Sequence, residues 1–227
     1  LPHVLSAERG ASGDARREQE GDRRLAVARP AGERVERSPL HHTVDEESWF
    51  TVDGNRLLLL ETGPARLRAL LRLIDGATRT LRLLYYIYED DEAGRQIRDA
   101  LFEARNRGVA VSLIVDGFGS DSASDNDFFD ALEQEGVAVC RFIPRFGRRY
   151  LLRNHQKLAL ADERHVIVGG FNVSDDYFGT AAEQAWRDIG LWVDGPASVR
   201  LAGYFDALAG WARRAEAASA SAGRGAW

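Results

Sequence analysis

The sequence predicts an α/β fold whose mixed, mostly parallel sheet is flanked by helices, and two observations carry that prediction. Segments with strand character and segments with helix period alternate from Pro64 to Phe142. Strands joined through helices close as right-handed crossovers into a parallel sheet. No repeat of a solenoid period competes with this pattern.

The elements follow in order. Pro64 opens a helix in which Leu67, Leu70, Leu71 and Ile74 fall on one face, and LRLLYYIY (81–88) follows as an apolar, aromatic-rich strand. Tyr85, Tyr86 and Tyr88 are expected in the core. A second helix carries Ile97, Leu101 and Ala104, closes at Gly108 and releases the strand VAVSLIVD (109–116). FFDALEQEG repeats the device ahead of VAVCRF (137–142). QKLALAD and HVIVGG then read as two short strands joined at Glu163-Arg164. A helical reading of that stretch is disfavoured by the branched run VIV and the glycine pair.

Three domains of behaviour are expected. Residues 1–44 form a disordered charged arm, since the stretch to Arg37 holds eight Arg and seven Asp/Glu with few large apolar side chains. Residues 45–214 form the folded lobe, and residues 215–227 a flexible tail or linker. The absent methionine and the Leu1-Pro2 start suggest a processed or partial sequence.

Composition narrows the partners. A net charge of −5 leaves no general nucleic-acid footprint, although a local basic patch stays open. Cys140 is alone, so no internal disulfide forms. Nothing approaches the roughly 18 consecutive apolar residues of a membrane span, and a soluble, cytoplasmic chain is expected.

Of 30 Lys+Arg, 29 are arginine, and the one lysine is Lys157 in NHQKLALADERHVIVGGFN (154–172). A compact ammonium reaching one oxygen among crowded groups is a requirement that arginine does not meet. On a strand, His155 and Lys157 project from one face because side chains repeat every two residues.

His155-x-Lys157-x4-Asp162-x6-Gly169-Gly170-x-Asn172 resembles the HKD signature of the phospholipase D superfamily. Gly-Gly-x-Asn followed by SDDYFG resembles its cardiolipin synthase branch. The segments YIYEDDEAGRQIRDALFEARNRGVAVSLIVDGFGS and WRDIGLWVDGPASVRLAGYFDALAGW resemble the flanks of the first motif in that branch, so the likeness covers about residues 49 to 212. It implies a phospholipase D-like α-β-α sandwich holding the first catalytic lobe of a phosphatidyltransferase. Such a lobe passes a phosphatidyl group through a phosphohistidine, with no metal or other cofactor.

The resemblance assigns roles residue by residue. His155 is the nucleophile, or the general acid if its partner attacks. Lys157 binds a non-bridging oxygen and Asn172 donates another hydrogen bond. Asp188, 33 positions beyond His155, sits where the family places a carboxylate that orients the imidazole. Asp162 belongs to the catalytic signature, yet its place on the opposite strand face marks it as an anchor of the hairpin. Gly169, Gly170, Arg148 and Arg149 are the candidate substrate-binding residues. Duller readings stand beside these: Asn172 as a turn cap, the glycine pair as a means of close packing, Asp188 as an ordinary ion-pair member. Arg145, Arg148, Arg149 and Arg153 are either a solvated loop or an anion contact. Asp121, Asp125 and Asp127 lack the glycine and the closing glutamate of a calcium loop.

The family's chemistry needs two histidines and the chain holds one His-x-Lys; His165 has no lysine two places on. The second half comes either from a missing C-terminal lobe or from a homodimer partner. A phospholipid substrate and peripheral contact with the inner membrane surface are expected, nucleic acid less so. A hydrolase of the phospholipase D or nuclease type working as a homodimer, and a lobe that only docks, remain the alternatives.

Overall fold

Two tight turns decide much of the topology. Asp53-Gly54 and Asp162-Glu163 both hold positive φ (47° and 75°, 53° and 55°), the backbone of two-residue hairpins that match the twist of paired strands. The computed structural model describes residues 48–117, 119–120, 123, 127–142 and 154–223. Around these turns run β1 (Trp49–Val52) with β2 (Asn55–Leu60), and β6 (Leu158–Ala161) with β7 (His165–Gly169). The remaining strands are β3 (Thr80–Tyr85), β4 (Ala110–Asp116), β5 (Ala138–Phe142) and β8 (Gly190–Asp194).

Together they form one sheet in the order β1-β2-β8-β7-β6-β3-β4-β5. The α/β class and the mixed sheet are as expected, but the parallel share is smaller. Only β3-β4 and β4-β5 pair in parallel among these strands; the other neighbours are antiparallel. The reason is the connection. Helix α2 (Glu92–Asn106) bridges β3 to β4 and α3 (Phe128–Gln134) bridges β4 to β5, and only such crossovers give parallel neighbours, whereas hairpins give antiparallel ones.

Helix α1 (Gly63–Gly76) starts at Thr62, whose Oγ1 accepts from Ala65 N at 3.3 Å, with Pro64 in its first turn. It buries Ala69, Leu70, Leu73 and Ile74, together with Arg66. Leu67 and Leu71 are only half-buried, so the stripe is turned from the expected one toward Arg66. Strand alternation sorts the core into two layers. Leu81, Leu83 and Tyr85 of β3 join α1 and α2 on one side, while Leu84 with Leu158 and Leu160 of β6 face the other. That other side is covered by α4 (Ala197–Gly223), through Ala202, Phe205, Ala209 and Ala212. The spacing of those four is the helical i, i+3, i+7, i+10 stripe. The helix also takes in residues 215–223, expected as a tail; their alanine content is the composition of a good helix former. Residues 1–44, and Arg145, Arg148, Arg149 and Arg153, lie outside the described residues.

Asp162 closes the β6–β7 hairpin against the start of β3. Its carboxylate accepts from Thr78 N (2.9 Å), Thr78 Oγ1 (2.8 Å), Arg79 N (2.8 Å) and Thr80 N (2.9 Å). Burial pushes the carboxyl up, but the donated hydrogens of Thr80, Thr78 and Arg79 outweigh it and hold the group below the usual carboxylate range. Asp162→Ala is therefore expected to cost about 2 kcal/mol, read as a lowered urea midpoint. The wild-type advantage is full above the unfolded carboxylate value near ~3.9 and is lost as pH falls through the lower folded value. Stability curves of the two proteins should converge there and not before.

Candidate active site

The strand register brings four chain segments to one end of the sheet. Leu84, at the C-terminal end of β3, pairs with Leu158, the first residue of β6; Leu158 also pairs with Val168 near the end of β7, and Gly169 pairs with Gly190 at the start of β8. Tyr86, the 154–157 segment, Gly170–Asn172 and the 186–189 segment all extend from these ends.

His155 and Lys157 meet there, but both precede β6 in the 154–157 segment, so the chain's path into the strand, and not strand alternation, brings them together. Lys157 Nζ is 2.9 Å from His155 Nδ1 and donates to His155 O at 2.8 Å. The ammonium is a donor only, so it must face the ring's unprotonated nitrogen. A neutral ring in this arrangement carries its hydrogen on Nε2. Lys157 is 5 % exposed while His155 is open to solvent. Burial pushes the lysine below its ordinary value, and the Asp188 carboxylate opposes that shift.

Asp188 lies close against Gly170. A Cβ on Gly170 would lie 2.6 and 2.8 Å from the two Asp188 carboxylate oxygens, and only glycine leaves that room. Gly169 is tight in the same way, against Ile189 O and the Phe171 ring. Close packing thus accounts for both glycines. The Asp188 carboxylate accepts from Ile189 N at 2.6 Å. The hydrogen bond on the His155 ring among the described residues is that from Lys157.

Asn172 is 1 % exposed. Ile87 N donates to its Oδ1 at 3.1 Å, and its Nδ2 donates to Tyr177 Oη at 2.9 Å. A backbone N–H only donates, so the amide orientation is fixed. The Tyr177 oxygen is then an acceptor here, and its own hydrogen is left to donate elsewhere.

Asp162 stands at the far end of β6, roughly 16 Å of extended chain from Lys157 at about 3.3 Å per residue. It anchors the hairpin there. Arg148 and Arg149 lie outside the described residues, as do Asp121 and Asp125; Asp127 precedes α3 without capping it. His165, at the start of β7, packs edge-on to Trp192 of β8, its Nδ1 3.5 Å from Asp194 Oδ1. No three His, Cys, Asp or Glu side chains among the described residues gather to hold a metal ion.

Three residues here were not assigned to the site from sequence. Tyr86, expected in the core with Tyr85 and Tyr88, instead turns its ring onto His155, with centroids 4.6 Å apart. Strand alternation separates Tyr86 from the buried Tyr85, and that was the available signal. Tyr177 sits in the SDDYFG stretch without a pattern of its own. Arg66 is buried on the apolar stripe of α1, where its guanidinium donates to Asp188 O (2.5 Å), Tyr177 O (2.6 Å), Glu61 O (3.2 Å) and Trp186 O (3.4 Å). An arginine on an apolar face was its signal. It ties α1 to the loop that carries Asp188.

Known proteins resemble this chain in sequence and in fold. The family described as "Cardiolipin synthase, PLD-like domain" matches residues 70–208. The chain is 34% identical over 158 residues to cardiolipin synthase 1 of Bacillus cereus, covering 67% of this chain and 31% of that protein. It is 37% identical over 153 residues to the major cardiolipin synthase ClsA of Bacillus subtilis, covering 65% and 31%. The chain thus spans about a third of the length of these curated relatives. Among solved structures, Nuc of Salmonella typhimurium, a phospholipase D family member, aligns with a TM-score of 0.53 at 20% identity, covering 67% of this chain and 92% of that one. That likeness is one of fold.

Proposed function

We infer that this chain, which belongs to the family of cardiolipin synthase PLD-like domains, is one catalytic lobe of a phosphatidyltransferase acting on phospholipid phosphodiesters. The observation that carries the reading is the Lys157 ammonium held 2.9 Å from the His155 ring.

The resting arrangement must change for attack. Lys157 leaves Nδ1 for a non-bridging phosphate oxygen, and Nδ1 takes up the ring hydrogen and donates it to Asp188. Nε2 is then a free lone pair. It attacks phosphorus; an N–P bond forms, the P–O bond to the departing alcohol breaks, and that oxygen takes a proton from a second histidine. In the second half the acceptor alcohol gives its proton back to that histidine as its oxygen attacks phosphorus and the N–P bond breaks. Water in place of the alcohol gives hydrolysis. Asn172 and the free hydrogen of Tyr177 supply neutral donors to the phosphate. Gly169 and Gly170 serve by letting Asp188 approach; Arg148 and Arg149 are candidates for the headgroup.

The second histidine comes from a further lobe or from a second copy, since this chain holds one His-x-Lys. Sedimentation of an active preparation distinguishes the two. No described helix is long and apolar enough to cross a membrane; the lipid contact we propose for this lobe is peripheral.

The test presents phosphatidylglycerol vesicles and, separately, single-stranded DNA to the protein and to His155→Ala. Cardiolipin and glycerol should appear with the wild type alone. His155-dependent cleavage of DNA without lipid turnover would replace the reading by a nuclease, and no His155-dependent turnover of either by a docking lobe.

A pH prediction follows from the same group. Lys157 acts while protonated, so rate should fall on the alkaline side through a value below the ordinary lysine value of ~10.4. Asp188 raises the ammonium's value. Asp188→Asn should therefore move the alkaline limb to lower pH, and a limb that stays or rises refutes the assignment.

A further inference from the structure

We propose that Tyr86 is a positioning residue for the reaction, its ring being the surface that keeps the His155 imidazole in one orientation while Lys157 moves to the phosphate. The proposal rests on the reading of His155 as the attacking group.

His155 is exposed, so burial does not fix its ring. The final torsion of a histidine side chain is broad, and contacts must select one setting. Two contacts do so here. The first is Lys157 Nζ on Nδ1, at 2.9 Å. That contact is given up when the ammonium turns to a phosphate oxygen. The second is the Tyr86 ring, with centroids 4.6 Å apart and planes at 46°, within the range of favourable aromatic pairs. This ring contact does not involve the ammonium and is not given up with it.

The tyrosine is itself built into place. Its carbonyl accepts from Ser120 Oγ at 3.2 Å, and Tyr88 N donates to the same hydroxyl at 3.0 Å. Ile87 N is held by Asn172 Oδ1 at 3.1 Å. Gly119 makes room for it: a Cβ there would lie 2.3 Å from Tyr86 O and 3.2 Å from Tyr86 Cε1. The ring also faces the ammonium, with Lys157 Nζ 5.4 Å from the centroid, a range in which the ring face attracts a cation. One aromatic side chain thus touches both halves of the His-x-Lys pair, and it does so through its ring.

Tyr86→Leu and Tyr86→Phe test this in the full chain. In Tyr86→Leu, kcat should drop about 10- to 100-fold, the usual penalty for a reacting group displaced by roughly 1 Å, with KM altered less than about threefold. Tyr86→Phe keeps the ring and should restore the rate to within about threefold of wild type. The His155 ring-proton signals, shifted by the current of the neighbouring aromatic ring, should move in Tyr86→Leu and stay in Tyr86→Phe. Unmoved His155 signals in Tyr86→Leu overturn the proposal, as does an equal rate loss in both variants, which would place the action in the hydroxyl. A wild type that turns over no diester removes the functional reading instead, and the ring-proton signals still decide whether Tyr86 holds His155.

Discussion

His155→Ala is expected to lower phosphatidyl transfer by roughly 10⁴-fold or more, the scale seen when a covalent nucleophile is removed. The imidazole is exposed and its nearest partners are Lys157 and the Tyr86 ring, so the substitution removes no core volume. Thermal stability should therefore stay close to wild type, and the rate loss belongs to chemistry. Quenching the wild type in denaturant at alkaline pH during turnover of labelled phospholipid should leave label on His155, since an N–P bond survives base. Label on another residue, or a variant that keeps a tenth of the rate, would end the phosphohistidine mechanism.

Lys157→Met is expected to lower kcat about 10²- to 10³-fold, the effect of withdrawing one positioned donor from a developing anionic centre. Its effect on stability should run the other way. Burial is the main cause that lowers the Lys157 ammonium, with Asp188 offsetting part of it. A lysine whose folded value lies below its unfolded one destabilises the fold at every pH where both states are charged. That cost fades as pH rises between the two values and is gone above about 10.4, the unfolded value. At neutral pH an apolar side chain of similar length removes the cost, so the melting temperature should hold or rise while activity collapses. A charge kept at some expense to stability is the mark of a functional group. A melting temperature several degrees lower, or a rate loss under tenfold, would make Lys157 a structural residue.

The Lys157→Met and Asp162→Ala variants separate the two acidic and basic members of one motif. Asp162 spends its charge on Thr78, Arg79 and Thr80 at the start of β3, so its loss should appear in denaturant midpoints. Lys157 spends its charge at His155. Membership of a single signature does not give residues a single role; a strand's length parts them.

What the sequence by itself determined was whatever depends on neighbours along the chain. The periods of α1, α2 and β3 to β5 were legible because period is local. The β6–β7 hairpin was legible from its branched residues and its short link, whereas the His155–Lys157 contact forms ahead of β6 and not through the expected alternation. Tertiary structure decided the rest. The antiparallel majority of the sheet includes the β2–β8 pairing, whose partners lie far off in sequence: Leu57 pairs with Val193. Arg66 meets Asp188 across 122 positions, and Tyr86 reaches His155 only because β3 and β6 are neighbours in the sheet. The physical reason is the same in each case. A short-range pattern fixes which way a side chain points along its own strand or helix, but what it meets there is set by strand order and register, which the packing of the whole sheet selects.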